Sequence, residues 1–122
     1  MEKRTIEMAI LLDIYGELLT EKQKTCLDFY YNEDFSLAEI AELSGVTRQG
    51  VLDAIRRGEA ALLAFEQKIG LQERIAEMTK ATERIAGRLR RIEEKIGTAE
   101  TTAWFAEIYG DLESITEKAG ED

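Results

Sequence analysis

The chain has 122 residues, of which 44% are hydrophobic and 34% charged, with no proline, no histidine and a net charge of −9. This composition predicts an all-α protein and excludes collagen-like and proline-rich disordered chains. Without histidine, Ser-His-Asp catalysis, Cys-His catalysis and a histidine-bound metal are also excluded.

Two helices are predicted within the first 32 residues. The first covers about residues 5–19, and the apolar side chains recurring there at helical spacing are expected to face inward. They are Ile6, Ala9, Ile10 and Ile14, with Met8, Leu11 and Leu12 widening the buried face. The second helix starts at Thr20 and ends near Asn32. Thr20 and Gln23 fit a capping box, in which each side chain satisfies a free backbone N–H of the other residue.

A helix-turn-helix is predicted over residues 37–56. Ser36 and Glu39 fit a second capping box, and Gly45 permits the left-handed stop that ends the short helix. Thr47 then caps a longer helix that runs to about Ile69. Small, apolar and glycine residues fall at the offsets that two crossing helices need. They are Leu37, Ile40, Ala41 and Leu43 on the first helix, Gly45 and Val46 in the turn, and Val51, Leu52 and Ile55 on the second helix. The alternative is an ordinary helical hairpin with a glycine turn.

The second helix of this motif would present its N-terminal residues to the DNA major groove. The predicted nucleic-acid contacts are Thr47, Arg48, Gln49, Arg56 and Arg57. Arg48 can donate two hydrogen bonds to guanine, and Gln49 can pair with adenine. Thr47 and the two later arginines suit phosphate contacts. Asp53 weakens this pattern, because it would face the same acidic partner. The alternative is a solvated helix on which Asp53 and Arg57 form an i,i+4 ion pair.

Three blocks of the chain resemble the YlxM family of small bacterial proteins. They are residues 15–23 (YGELLTEKQ), 30–41 (YYNEDFSLAEIA) and 46–51 (VTRQGV), and the likeness covers about residues 6–75. That family has a helix-turn-helix similar to region 4 of sigma-70 factors, and its genes commonly lie beside that of the signal recognition particle GTPase. The resemblance implies a DNA-binding or regulatory protein, often dimeric, linked to the signal recognition particle pathway. Gly50 and Gly58 depart from the family's pattern, in which better helix formers are usual.

Residues 71–122 are predicted to form a helical arm that follows a helix-turn-helix domain of residues 1–70. Apolar residues after Gly70 alternate steps of four and three, which is a heptad seam nearly four repeats long. A last helix carries a second apolar stripe. The residues predicted to form a dimer or partner interface are Ile75, Met78, Ile85, Leu89, Ile92, Ile96, Trp104, Phe105, Ile108 and Leu112. A single chain of this size cannot cover both stripes, and we therefore expect a homodimer. The alternative is an intramolecular hairpin of the two helices.

Four basic residues recur along one face of the arm at spacings of four, three and four. They are Arg84, Arg88, Arg91 and Lys95. They could pair with the acidic residues of the last helix, Glu107, Asp111, Glu113 and Glu117, or bind RNA phosphates. We favour the pairing with the last helix, since surface charge runs usually do little more than keep a face solvated.

The sequence therefore predicts a DNA-binding regulatory protein of helix-turn-helix type. Its alternative is a protein- or RNA-interaction module that modulates the signal recognition particle machinery without sequence-specific DNA binding. The acidic balance favours the alternative. No glycine-rich phosphate loop or acid–base constellation is present, so neither enzymatic activity nor a cofactor is expected. The single Cys26 and the lack of a long apolar run predict a cytoplasmic protein without membrane insertion.

Overall fold

A computed structural model describes residues 3–120, with side chains over residues 5–116. This part of the chain holds six α-helices and no strand, which confirms the all-α class. The helices are α1 (Lys3–Tyr15), α2 (Glu21–Leu27), α3 (Leu37–Ser44), α4 (Arg48–Ile69), α5 (Leu71–Ile96) and α6 (Thr102–Gly120). A 3-10 turn, Gly16–Leu18, follows α1, and a π-helical turn, Asp28–Asn32, extends α2. None of the helices in this range is both long and apolar enough to cross a bilayer.

The predicted starts of α2, α3 and α4 agree with their caps, whereas α1 ends at Tyr15 and not near residue 19. Thr20 and Gln23 form the first capping box, and Ser36 and Glu39 form the second. The Glu39 side chain accepts the Ser36 backbone N–H at 3.0 Å, and this hydrogen bond lowers the pKa of the Glu39 carboxyl. Gly45 has φ +69°, the left-handed conformation that a non-glycine residue adopts at a cost. The turn between α3 and α4 is therefore fixed by local chemistry.

The first compact unit ends at Gln72, and its core lies where α4 packs against α1, α2 and α3. Twelve buried side chains form one cluster there: Met8, Leu11, Leu12, Tyr15, Leu19, Cys26, Leu27, Ile40, Val51, Ala54, Ile55 and Leu62. Helices α1 and α4 contribute residues at spacings of three and four, as expected for amphipathic helices around one core. This core fixes the direction of α4.

Gly58 is the point of closest approach between α4 and α2. A Cβ added there would lie 2.6 Å from Leu27 Cδ1 and 3.3 Å from Leu27 Cγ, and Leu27 is fully buried. A glycine in a helix interior costs up to about 1 kcal/mol relative to alanine. The close packing against Leu27 explains why this position departs from the better helix formers usual in the family that the sequence resembles.

Three residues that the sequence places in the core are exposed instead. Leu43 is 61% exposed, and Ile6 and Ile10 are 46% and 41% exposed. On α3 the inward face is taken by residues at positions 37, 40, 41 and 44, and Leu43 falls outside that arc. On α1, which is apolar almost all round, the stripe of Met8, Leu11, Leu12 and Tyr15 faces α4, and the isoleucines lie on the opposite side.

Tyr15 joins α1 to the start of α5 through a small hydrogen-bond network. Its hydroxyl donates to Glu66 Oε1 at 2.7 Å and accepts the Leu71 N–H at 3.0 Å. The same Glu66 oxygen accepts the Gln72 N–H at 3.0 Å. These bonds satisfy two of the backbone N–H groups that a helix start leaves without an intrahelical partner. A side chain 51 residues from Glu66 in sequence thus fixes where α5 begins.

We expect Tyr15→Phe to destabilise the N-terminal unit by about 1–3 kcal/mol, because Glu66 and the Leu71 N–H lose the hydroxyl to which they are hydrogen-bonded. Burial, and next the hydrogen bond to Glu66, raise the pKa of Tyr15 above its usual 10.0. The neutral phenol is therefore favoured by folding, and this contribution is complete below pH 10 and lost as the pH rises through the folded pKa. Urea unfolding followed by circular dichroism should show a steeper alkaline loss in the wild type than in Tyr15→Phe.

The control for this experiment is Tyr30→Phe, which removes a phenol from an exposed side chain. It should leave the alkaline slope of the wild type unchanged. Equal slopes for the wild type and Tyr15→Phe would contradict the role given to the buried hydroxyl.

The second compact unit, which begins at Glu73, is a helical hairpin. Gly97 follows α5, and Thr98 caps the turn by accepting the Thr101 N–H at 3.3 Å. The Tyr109 hydroxyl of α6 donates to Glu93 Oε1 of α5 at 3.0 Å, and the Arg90 guanidinium lies 5.5 Å from the Tyr109 ring centroid. Within the hairpin, no residue with a described side chain is buried.

Candidate nucleic-acid interface

The N-terminus of α4 is open to solvent and carries no acidic residue in its first turn. Thr47 is the N-cap, and its Oγ1 accepts the Gly50 N–H at 3.0 Å. Its hydroxyl proton remains free to be donated outward. Helices α2, α3 and α5 each carry a glutamate in their first turn, which counters the positive end of the helix dipole. The α4 N-terminus keeps that partial positive charge, which suits an anionic group such as a phosphate.

Arg48 and Gln49 occupy the first turn of α4, and both side chains are exposed. Neither forms a hydrogen bond or ion pair with another described side chain. Arg56 lies about two turns farther along the helix, roughly 10–12 Å at 1.5 Å per residue, and shares a face with Gln49 and Asp53. Thr47, Arg48, Gln49 and Arg56 are thus all exposed. Gln49 and Arg56 share one face of α4, whereas Thr47 and Arg48 lie at its N-terminus on other sides of the helix.

Arg57 is placed differently from the other predicted contacts. Its Nε lies 3.1 Å from Asp53 Oδ2 in an i,i+4 ion pair, and both side chains are largely exposed. The pair that the sequence offered as an alternative to DNA contact is thus formed. An exposed pair of this kind contributes little to stability. Arg57 can leave Asp53 for a phosphate, but its charge is partly neutralised while the pair persists.

Gly50, near the start of α4, leaves room for the tight turn between α3 and α4. A Cβ at this position would lie 2.7 Å from Val46 Cγ1 and 3.1 Å from Thr47 Oγ1. Val46 packs on the core, so a larger residue at position 50 would displace the turn. Gly50, like Gly58, departs from the family's pattern, and close packing beside the Thr47 cap explains why.

A cleft of about 310 Å³ runs along one side of α4 and was not anticipated from the sequence. Its lining is Thr5, Tyr30, Tyr31, Leu37, Leu52, Ile55, Arg56 and Glu59. The Tyr31 hydroxyl donates to Glu59 of α4. Tyr30 stacks edge-to-face on Tyr31, with ring centroids 5.0 Å apart. Arg56 therefore stands at the border between the α4 edge and an aromatic cleft.

The π-helical turn explains why the sequence did not reveal this cleft. The Glu33 N–H donates to the Asp28 carbonyl at 3.2 Å, five residues back, where an α-helix would bond four residues back. The wider turn holds one residue more than an α-helical turn, and this rotates Tyr30 and Tyr31 away from the face that α-helical spacing predicts. Such turns occur often at functional sites, but no sequence pattern specifies one reliably.

Other reactive groups offer no site in the described part of the chain. Cys26 is buried, and burial raises the pKa of its thiol, which makes the thiolate scarce. Among the residues that the structure describes, no group of cysteine and carboxylate side chains is arranged to hold a metal ion.

The residues predicted for a dimer interface lie along the hairpin of α5 and α6. Five of them are exposed large hydrophobic side chains: Ile85, Ile92, Ile96, Trp104 and Ile108. The other five are half-buried: Ile75, Met78, Leu89, Phe105 and Leu112. Thr82 is the polar residue of the α5 seam, and its hydroxyl donates to the Thr79 carbonyl at 2.9 Å. It therefore brings no unsatisfied hydroxyl to the seam. A single copy of the chain thus leaves much of both apolar stripes uncovered.

The favoured charge match between the basic face of α5 and the acidic residues of α6 is absent among the described side chains. Arg84, Arg88, Arg91 and Lys95 form no ion pair there. The polar contacts between the two helices use Arg90 and Glu93 instead, both directed at Tyr109. Glu117, one of the predicted acidic partners, lies outside the described side chains.

Comparison with known proteins places these features in a family. The family model UPF0122, described as "Putative helix-turn-helix protein, YlxM / p13 like", matches residues 1–102. A UPF0122 protein of Clostridium kluyveri is 58% identical over 73 residues, or 60% of this chain and 65% of that protein. A UPF0122 protein of Thermoanaerobacter sp. is 36% identical over 115 residues, or 94% of this chain and 98% of that protein. The chain thus spans just under two thirds of the length of the Clostridium kluyveri relative.

Proposed function

Because this chain belongs to the UPF0122 family of YlxM- and p13-like helix-turn-helix proteins, we propose that it is a regulatory protein that binds duplex DNA through the N-terminal half of α4. One observation carries the proposal. Arg48 and Gln49 project from a threonine-capped helix N-terminus, directly after the glycine turn, with no partner among the side chains of residues 5–116. This is the position at which helix-turn-helix proteins contact base edges in the major groove.

Each exposed residue has a chemical role in this mode of binding. Arg48 would donate two hydrogen bonds to guanine O6 and N7, and Gln49 would pair with adenine N6 and N7. Thr47 and the free N–H groups of the first turn would bind one phosphate. Arg56 would bind a second phosphate, with Arg57 joining it on release from Asp53. Two side chains would contact bases, and two or three others would contact the DNA backbone. So few contacts give a modest affinity that falls as the salt concentration rises.

A homodimer formed through α5 and α6 would complete the site. The exposed stripes need a cover, and a second copy supplies the same apolar surface by two-fold symmetry. Two α4 helices would then bind two half-sites, as dimeric helix-turn-helix proteins do at a spacing of about 34 Å. A single module with so few cationic contacts gains both affinity and specificity from this arrangement.

A selection from a library of random duplexes tests the proposed function. We expect the full-length protein to enrich a short motif that contains guanine and adenine at adjacent positions, because Arg48 and Gln49 are neighbours. A dimer should enrich an inverted repeat of that motif. Recovery of no motif at low salt would contradict sequence-specific DNA binding.

The second candidate function is a protein- or RNA-interaction module of the signal recognition particle machinery. Two observations favour it: the net charge of −9, which repels duplex DNA, and the exposed apolar stripes of α5 and α6, which include Ile92 and Trp104. In this case the stripes would bind a partner protein, and α4 would be only a structural part of the motif. Retention of such a partner by the Arg48→Ala protein, together with a failed duplex selection, would favour this candidate.

A further inference from the structure

Helix α5 carries a groove that neither the proposed DNA contact of α4 nor the apolar seam uses. Its lining is Arg84, Gly87, Arg88 and Arg91, which enclose about 300 Å³. Residues three and four apart lie on one helix face, so the three arginines surround the glycine. All three arginine side chains are exposed. We call this surface the arginine groove.

The charges of the arginine groove are not neutralised by any side chain that the structure describes. None of the three arginines forms an ion pair or a hydrogen bond with another side chain over residues 5–116. Lys80 and Lys95 lie four residues before Arg84 and four residues after Arg91, and Glu94, three residues after Arg91, forms no ion pair with it among the described side chains. On a chain with a net charge of −9, this is a concentrated positive surface.

The local sequence of the groove weakens the helix without improving its packing. The pairs Arg84–Arg88 and Arg91–Lys95 are like charges at i,i+4, which is unfavourable. Gly87 is also unfavourable in a helix interior, and a Cβ there would meet no atom within 4 Å. Gly58 differs, because close packing excludes a Cβ at that position. Residues that break local rules without a packing gain are expected at functional sites.

We propose that the arginine groove binds successive phosphates of a nucleic-acid backbone, as a second nucleic-acid site on a different unit from α4. Guanidinium groups bind phosphates through two parallel hydrogen bonds, and glycine allows a backbone to approach closely. Arg84 and Arg91 are about 10 Å apart along the axis at 1.5 Å per residue. Arginines at that spacing can each bind a separate phosphate of one strand. The proposal does not depend on base contact by α4.

The test uses the full-length protein and two labelled probes of about 20 nucleotides, oligouridylate and oligothymidylate, in a salt series. Arg84→Gln with Arg88→Gln and Arg91→Gln should weaken binding at least tenfold and lower the salt slope by about 2, at 0.7 per phosphate. The matched control is Lys22→Gln with Lys68→Gln and Arg74→Gln, which removes the same charge from exposed positions outside the groove. It should weaken binding by less than about threefold.

The two triple variants separate local binding from overall charge. If both weaken binding equally, the groove is not a site and the proposal is overturned. Similar affinity for both probes supports recognition of phosphate alone, and preference for oligouridylate identifies RNA as the source. Tighter groove-dependent binding to phosphatidylglycerol vesicles than to either probe overturns the proposal in favour of a lipid surface.

Gly87→Ala tests the shape of the groove apart from its charge. It should raise the helicity and the thermal stability of the hairpin yet weaken oligonucleotide binding several-fold, because a methyl group enters the groove. A merely structural glycine would give the gain in stability with no change in affinity, and that result would overturn the proposal.

Arg48→Ala with Arg56→Ala separates this inference from the proposed function. The groove should retain its affinity for both probes in that variant. If Arg48→Ala with Arg56→Ala loses binding to both probes while the groove variants lose none, all nucleic-acid binding is assigned to α4.

Discussion

Replacing Arg48 and Arg56 together by alanine should weaken duplex DNA binding by about 10- to 100-fold at low salt, while helicity stays unchanged. Loss of one bidentate contact to a base costs about 1–3 kcal/mol, and loss of one phosphate contact lowers the salt slope by about 0.9. Both side chains are exposed and unpaired with described groups, so their removal leaves no buried partner and no cavity. Fluorescence anisotropy with the selected duplex measures the affinity, and circular dichroism measures the helicity.

The matched control for this variant is Lys68→Ala with Arg74→Ala. It removes the same charge from exposed positions, Lys68 near the C-terminal end of α4 and Arg74 on α5. It should weaken binding by no more than a few-fold, since distant exposed charges are screened within about 10 Å at moderate salt. Unchanged affinity of the Arg48 and Arg56 variant would contradict DNA contact by α4 and favour the interaction module.

Replacing Ile85 and Ile92 together by aspartate should dissociate the proposed dimer, with the dissociation constant raised at least 100-fold. Both side chains are more than 40% exposed in a single copy, so the change leaves the core of each chain intact. In a dimer, each aspartate would have to lose its hydration against an apolar surface, which costs several kcal/mol. Sedimentation velocity over a concentration series measures the change in mass.

The control for the seam variant makes the same chemical change in the first unit. Leu18→Asp with Leu63→Asp replaces two exposed leucines outside the hairpin. This protein should remain dimeric, because these residues are not part of the seam. A dimer that survives Ile85→Asp with Ile92→Asp would show that the interface lies elsewhere. A monomeric wild type at high concentration would contradict the dimer itself.

Several features could be predicted because their cause lies within a few residues. Thr20, Ser36 and Thr47 each cap a helix whose start they mark in the sequence. Gly45 marks the left-handed stop after α3. Hydrogen bonds between residues three apart depend on local backbone geometry alone, so a short pattern specifies them. The order of the helices and the exposed position of Arg48 follow from the same local information.

Burial could be predicted less well, because it depends on which neighbour a helix meets. Helix α1 offers two apolar stripes, and the position of α4 determines that Tyr15 is buried and Ile10 is exposed. Leu43 is likewise exposed, because the residues of α3 that pack on the core are at positions 37, 40, 41 and 44. Hydrophobic periodicity identifies an apolar face but does not choose between two of them.

The sequence by itself determined the helical class, the caps, the glycine turn and the residues at the exposed start of α4, because each rests on interactions between near neighbours. Only the tertiary structure decided the rest. It showed that Gly58 admits Leu27, that Tyr15 reaches Leu71 across 56 residues, and that Tyr109 of α6 meets Arg90 and Glu93 of α5. These outcomes depend on distances between helices, which packing of the whole core sets and no local pattern contains.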